Sequence, residues 1–386
     1  MRREAKALRS EGKPGRSENL FQTQRISIGR VGVDGMLRMT WWRGALLLVV
    51  VLSLFGSSAG VGKAAPGSLV ITSYAPPWQD FLTKEILPGF ERETGAKVEL
   101  SVGLSRDWVA KMRVAGKNNP PYDVMIANTT WVSALRKEGF FAKLTPDKVP
   151  NLTDIWPELR NKDDNGVISL VGPLGIAYRT DLVSNPPKRW TDLWRPEYKC
   201  KLGIYSIANS AAPMFLMLVA KLFSGDEKNM DIAFQKIKEL LPVRQTDFSG
   251  NMETLLTTGE IHLGILDAPA ASRLKKQGAP IAWVPPIEGL FMFEQDSNVS
   301  EFAQNKELAF RFVNYFISPQ VQEKWANGFW WTPANRKVRI AGQLAQEIPI
   351  HTQAQIRSIH KWDWDWVNAG NREKMIERWN REIVGR

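Results

Sequence analysis

The chain has 386 residues, 44% of them hydrophobic and 24% charged, which is enough for two ordinary domains and well beyond a scaffold held together by disulfides. Its formal charge of +11 is concentrated at the front: residues 1–65 hold 11 Lys/Arg and 4 Asp/Glu, leaving 40 basic and 36 acidic residues for the remainder. No basic run or basic-aromatic stripe follows residue 66, which argues against a nucleic-acid partner, and the single cysteine, Cys200, excludes an intramolecular disulfide.

Residues 1–35 are polar and basic without an apolar period, and are read as a non-native or disordered extension ahead of a true start at Met36 or Met39. Residues 36–65 have the order of a cleaved secretory signal: Arg38 and Arg43, then an apolar stretch from Gly44 to Phe55, then small residues offering cleavage after Ala59 or Ala64. The apolar stretch is shorter than the ~20 residues a spanning helix needs, and no cysteine stands near for a lipid anchor.

From Ser68 onward short apolar runs alternate with amphipathic ones, the pattern of an α/β domain. Strands are expected at Leu69–Thr72, Val98–Val102 and Tyr122–Ala127. Helices should follow each of them: over 81–90 with Gly95 as terminator, over Trp108–Val114, and over Trp131–Glu138. A second series reads as strand Ile168–Tyr178, helix Thr191–Trp194, strand Leu202–Tyr205, helices Pro213–Phe223, Ile232–Leu241 and Asn251–Thr257, strand Ile261–Leu266 and helix Pro269–Lys276. Gly172-Pro173 and Pro285-Pro286 punctuate the apolar strands where one lobe should pass into the other. After an apolar stretch at Leu290–Phe293, helices Lys306–Phe316 and Gln320–Ala326 and a tail helix over Asn368–Ile383 complete the chain.

Several stretches resemble, in order, the type 2 periplasmic solute-binding proteins, and within them the spermidine/putrescine receptors. They are Phe90–Gly95 (FERETG), Tyr122-Asp123-Val124, Leu135–Gly139, Trp190–Lys199 (WTDLWRPEYK), Asn305-Lys306-Glu307 and Trp331–Asn335. The resemblance implies a two-lobed α/β fold, each lobe a mostly parallel sheet flanked by helices, joined by hinge crossovers. It further implies no catalysis, no cofactor or metal, and two partners: a small-molecule solute and the permease subunits of an ABC importer in the inner membrane. A periplasmic monomer is expected, with lobe 1 at 66–172 and 287–330, lobe 2 at 173–286, and 331–386 as a segment and tail helix packing on the lobes.

In open α/β sheets ligands sit beyond the carboxyl ends of the strands. That rule selects Ser73, Tyr74 and Trp78 after the first strand, Asn128, Thr129 and Thr130 after the third, Ser206 and Asn209 after Leu202–Tyr205, Ser249 and Asn251 before a helix, and Asp267 at a strand end. Helix capping explains any one of these polar residues equally well. Polyamine receptors cover methylene chains with aromatic rings and hold ammonium groups with carboxylates. By resemblance Tyr74 takes the early aromatic position, Glu294 the amine-binding carboxylate position, and Phe329–Trp331, with Trp330 as candidate, the late aromatic position. Asp267 matches poorly. Ser206–Ala211 (SIANSA) lacks the carboxylates that linear-polyamine receptors carry there, so the far end of the cleft is expected to be neutral and the solute a smaller amine or a zwitterion.

Two alternatives remain open. The same fold could hold a small anion, a phosphonate or carboxylate, on helix N-termini, or ferric iron, though no adjacent tyrosine pair occurs. An exported hydrolase is the alternative of another class, and no GxSxG constellation follows residue 66 for it. His262, His351 and His360 form no metal-spaced cluster, and His262, inside an apolar run, reads as a packed imidazole.

Overall fold

A computed structural model describes residues 67–384; the extension and signal expected at 1–35 and 36–65 lie outside the described residues. Ten strands form one sheet: β1 (Ser68–Ser73), β2 (Lys97–Val102), β3 (Val124–Asn128), β4 (Val167–Arg179), β5 (Leu202–Tyr205), β6 (Arg244–Thr246), β7 (Leu263–Asp267), β8 (Ile281–Val284), β9 (Phe291–Val299) and β10 (Thr332–Pro333). The order is β2-β1-β3-β9-β4-β7-β5-β6, with β8 and β10 both added on β4. Each wing is a parallel trio with its first strand in the middle, β2-β1-β3 and β6-β5-β7, and helices join the strands of each trio. Between the wings β9 and β4 run antiparallel to each other and to β3 and β7. Two lobes of like topology therefore share one pair of long strands.

The passage between lobes is a change of partners along β4. Its first half pairs with β9 and β10, the latter at Leu170 and Val171, and from Leu174 onward it pairs with β7, then also with β8 from Ile176. Gly172 and Pro173 sit at the exchange. A proline removes a ladder donor, and here it falls where one neighbour has ended and the next has not begun. The strand read as interrupted by Gly172-Pro173 is thus continuous.

Most expected elements are present with shifted ends. The helix expected from Trp131 starts at Thr129, and the one expected from Asn251 starts at Ser249, so four residues read as loop belong to first helical turns. The helix at 81–90 runs over 78–94 through a π turn and stops at Gly95, whose φ of 71° favours glycine. Trp190–Trp194 is a 3-10 turn rather than an α-helix. Trp190 is fully buried and donates its indole N–H to Gly289 O at 2.8 Å, so this motif is packing.

Four strands escaped the sequence reading in whole or in part: β8, the two-residue β10, β6 and the polar run of β9. β6 is three residues long and polar, and β9 extends past its apolar start through Glu294-Gln295-Asp296-Ser297-Asn298. The polar residues after Glu294 are buried, and three of them are bonded: Asn298 Nδ2 donates to Met125 O at 3.1 Å, Ser297 Oγ to Ser169 Oγ at 2.9 Å, and Asp296 accepts from Thr129 Oγ1 at 2.9 Å and forms an ion pair with Arg136. Among the described residues no helix is long and apolar enough to cross a membrane.

The tail touches both lobes. Its helix Arg372–Glu382 lies on the second, where Trp379 Nε1 donates to Gln245 Oε1 at 3.1 Å and Lys238 pairs with Glu382 at 2.8 Å. Its other end reaches the first, where Asn368 Nδ2 donates to Ser133 Oγ at 2.9 Å. Arg372 is buried there, with its guanidinium 4.7 Å from the Trp131 ring centre, one N–H on Thr130 O and another on Asn368 Oδ1 at 2.9 Å. Burial pulls its pKa down to about 10. Replacing it, Arg372→Met, strands the Thr130 carbonyl and is expected to cost about 1–3 kcal/mol in urea unfolding. Arg372→Lys should recover only part of that, because an ammonium cannot both stack and bond in this geometry. Wild-type stability in the Met variant would contradict the role given to the tail.

Candidate functional site

The parallel strands of both wings end on one cavity, whose empty space, part of it open to solvent, is about 680 Å³. The first lobe supplies Tyr74, Pro77 and Trp78 after β1, Leu104 and Ser105 after β2, and Asn128 and Trp131 after β3. The second lobe supplies Asn209 and Ser210 after β5, Asp247, Phe248, Ser249 and Glu253 after β6, and Asp267 and Arg273 after β7. The shared strand β9 contributes Phe293 and Gln295, and the helix Pro319–Phe329 with its exit contributes Phe329 and Trp331.

At one edge the lobes are bonded directly. Ser210 Oγ donates to Asn128 Oδ1 at 2.7 Å, and Thr130 Oγ1 donates to Ser210 O at 3.4 Å. Behind Asn128 a relay fixes the first-lobe wall: its N–H donates to Ser105 Oγ at 3.1 Å, and that hydroxyl bonds the Tyr74 phenol at 2.8 Å.

The apolar lining is aromatic. Trp78 meets Tyr74, Trp331 and Phe329 edge-to-face at centroid distances of 5.9, 5.3 and 6.0 Å. Gly172, at the partner exchange, makes room for Trp331: a Cβ there would lie 2.8 Å from the indole.

The charged lining comes from the second lobe. Asp267 caps the helix Ala268–Lys276, accepting from Ala270 N at 3.0 Å, and is buried. Burial raises its pKa, opposed by Arg273. Glu253 and Arg273 pair at 2.9 Å, and the guanidinium also lies 4.3 Å from the Phe329 ring centre. Desolvation pushes the Glu253 carboxyl up to about 7, with Arg273 pulling it down and Asp267 pushing it up.

Of the residues selected from sequence, Tyr74, Trp78, Asn128, Asn209, Ser249 and Asp267 line the cavity. Seven do not. Ser73 is buried behind the wall, donating to Tyr74 O at 3.0 Å, and Thr129 is spent on Asp296. Thr130 bonds across the lobe edge rather than facing the cavity. Ser206 and Asn251 line a separate shallow pocket beside Asp247. Trp330 takes a left-handed turn, φ 59°, which swings it away to Glu347 while Phe329 and Trp331 remain on the wall.

Glu294 is the largest correction. Neighbouring residues of a strand face opposite sides, so with Phe293 and Gln295 on the cavity, Glu294 lies behind it, near Thr129, Arg136 and Asp296. The far end of the cleft, expected to be neutral, instead carries Asp247, Glu253 and Asp267. The SIANSA stretch has no carboxylate, but two neighbouring loops and a helix bring them. Glu253 and Arg273 were missed because both sit inside helices, at positions that sequence periodicity reads as ordinary solvent-facing charges; strand alternation could have exposed Gln295.

A profile of the family described as bacterial extracellular solute-binding protein matches residues 86–349. The chain belongs to that family. It is 29% identical over 346 residues to a spermidine/putrescine-binding periplasmic protein of Salmonella typhimurium, covering 86% of this chain and 96% of that one. To the protein of the same description from Escherichia coli it is 28% identical over 309 residues, covering 76% and 87%. Among solved structures it is similar to an ABC transporter substrate-binding protein of Bradyrhizobium japonicum, with TM-score 0.70, 19% identity and coverage of 82% and 99%. A spermidine/putrescine ABC transporter substrate-binding protein of Streptococcus pneumoniae superposes with TM-score 0.64, 18% identity and the same coverage. These likenesses show the two-lobed fold of periplasmic binding proteins for this solute-binding chain.

Glu294 gives a pH test. Burial, with Asp296 adding to it, pushes its carboxyl up from 4.5 to about 7, so the native state holds more protons than the unfolded chain between those values and stability falls as pH rises through that window. Glu294→Gln should remove on the order of 1–2 kcal/mol of that loss, read as urea midpoints at pH 5 and 7.5. Identical slopes for variant and wild type would contradict the burial of this carboxyl.

Proposed function

We propose that this chain captures a small organic amine in the interlobe cavity outside the inner membrane and delivers it to the permease of an ABC importer, with residues 36–65 acting as its export signal. The observation that carries the reading is the conjunction, in one cavity, of Tyr74, Trp78, Phe293, Phe329 and Trp331 with Asp247, Glu253 and Asp267. Aromatic faces attract an ammonium group and cover its methylenes, and carboxylates hold its N–H groups in charge-assisted bonds. The names of its curated relatives agree with an amine ligand. No bond is made or broken in this role, and the protein acts as a monomer.

Recognition is coupled to shape. The lobes, 66–172 with 287–330 and 173–286, are expected to swing about the partner exchange on β4, because the cavity walls come from both and the full set of contacts exists only when they meet. The Ser210–Asn128 and Thr130–Ser210 bonds belong to the closed form.

A small anion alone is the second reading and draws on Arg273; the three carboxylates in the same cavity weigh against it. Ferric iron fits less well, since Tyr74 is the lining tyrosine and burial raises its pKa far from the phenolate that iron requires.

A thermal-shift panel of polyamines, amino acids, quaternary amines, phosphonates and ferric iron tests this. A ligand at 100 times its Kd adds ~2.7 kcal/mol, so an amine-bearing member is expected to raise Tm by several degrees, and Trp331→Ala and Asp267→Asn to weaken it at least tenfold. Asn keeps the helix cap at 267. Stabilisation by phosphonate or iron and by no amine would contradict the proposal.

A further inference from the structure

Deepening the amine reading and resting on it, we infer that the solute also carries a carboxylate, read by Arg273, so that the ligand is an amino acid-like zwitterion rather than a polyamine. Three N–H donors on the cavity wall are buried and bond no acceptor in the protein: Arg273 Nη1, Trp78 Nε1 and Trp331 Nε1. Trp78 and Trp331 are each 5% exposed. A buried donor left unbonded costs about 1–3 kcal/mol; the chain carries others, among them Trp108, Trp325 and Trp362 Nε1, and what sets these three apart is that their side chains line the ligand cavity.

The three are neighbours. Arg273 lies over Phe329, the Phe329 ring is 6.0 Å from Trp78, and Trp78 is 5.3 Å from Trp331, centre to centre. Their side chains therefore make one contiguous stretch of the wall, and the common requirement of its unbonded donors is an anionic or strongly accepting group. Glu253 does not meet it: that carboxylate takes the Arg273 Nη2 proton at 2.9 Å and leaves Nη1 over. A guanidinium offers a fork of donors that suits a carboxylate. A phosphate or other dianion fits this stretch poorly, because Asp247, Glu253 and Asp267 line the same cavity.

A diamine reverses the argument. Its second ammonium group would bring more donors to a stretch that already holds three, beside a fixed guanidinium charge. An ω-amino acid supplies what each side lacks: its ammonium group meets Asp267, Asp247 and the Gln295 Oε1 acceptor, which is also buried without a protein partner, and its carboxylate meets Arg273 and the two indoles. Glu253 then serves as a positioning residue that holds the guanidinium in place from behind.

The test is a paired titration by calorimetry with the purified protein. Straight-chain ω-amino acids from glycine to 6-aminohexanoate are each compared with the alkylamine that lacks the carboxylate, and with the α,ω-diamine of similar length. The inference expects one amino acid to bind at least tenfold more tightly than its matching amine and diamine. In Arg273→Gln that preference is lost, and Arg273→Lys restores part of it. An amine or diamine that binds as tightly as every amino acid overturns the carboxylate site and leaves the amine reading standing. Binding of none of these probes overturns the amine reading and this inference together. The wild-type comparison decides the matter even if an Arg273 variant does not fold.

Discussion

The structure depends on one pair of antiparallel strands that both lobes share. β4 changes neighbours at Gly172-Pro173, and β9 presses its polar run between β3 and β4. That run is tolerable because most of its buried polar groups are bonded, Gln295 Oε1 and Asn298 Oδ1 excepted, since each one left unbonded would cost about 1–3 kcal/mol. Asp296 draws in Arg136, Thr129 and Asn161, the last at 3.0 Å, while Asn298 and Ser300 bond the backbone of the first lobe. A buried ion pair such as Arg136–Asp296 adds little net stability but is strongly disruptive when one partner is lost. It fixes the helix Thr129–Lys137 on the shared strand, and with it Trp131 on the cavity wall. The alternate residues of the same strand, Phe293 and Gln295, form the cavity floor. Scaffold and site are thus two faces of β9.

Where the chain states its fold by apolar periodicity, it was legible. β1 to β3, β5 and β7 are short apolar runs, and the helices between them carry their stripes, so the α/β class and the order of units were readable directly. The polar strands were not. β9 after Phe293 is stabilised by side-chain bonds to residues more than a hundred positions away, and no local pattern announces them. β6 is too short to show a period. The site was half legible for a related reason: the rule about strand ends finds Tyr74, Asn128, Asn209 and Asp267, whose positions follow from the strands. It cannot find Glu253 or Arg273, which reach the cavity from within helices, nor tell that Trp330 turns away while Trp331 does not. That choice rests on a left-handed residue and on the absence of a Cβ at Gly172.

The relatives bind polyamines by their printed names, and this chain shares their architecture. Carboxylates gather on the second lobe, but one of them is tied to a guanidinium, and the donors around that guanidinium exceed the acceptors the protein provides. Local dielectric makes such an imbalance consequential, because in a desolvated cavity both the cost of an unpaired group and the gain from its proper partner are large. Specificity then follows from which groups are left wanting rather than from the aromatic walls, which accept any chain of methylenes. The tail adds a further layer: by bonding Thr130 and stacking on Trp131 it braces the wall from outside the site.

The most direct measurement is a crystal structure of the protein with the tightest-binding amine of the panel. The account expects the ligand between the two lobes, its ammonium nitrogen within hydrogen-bond distance of Asp267 or Asp247 and its carbon chain against Tyr74, Trp78 and Trp331. Density for the ligand elsewhere on the surface, with the interlobe cavity holding only solvent, would contradict it.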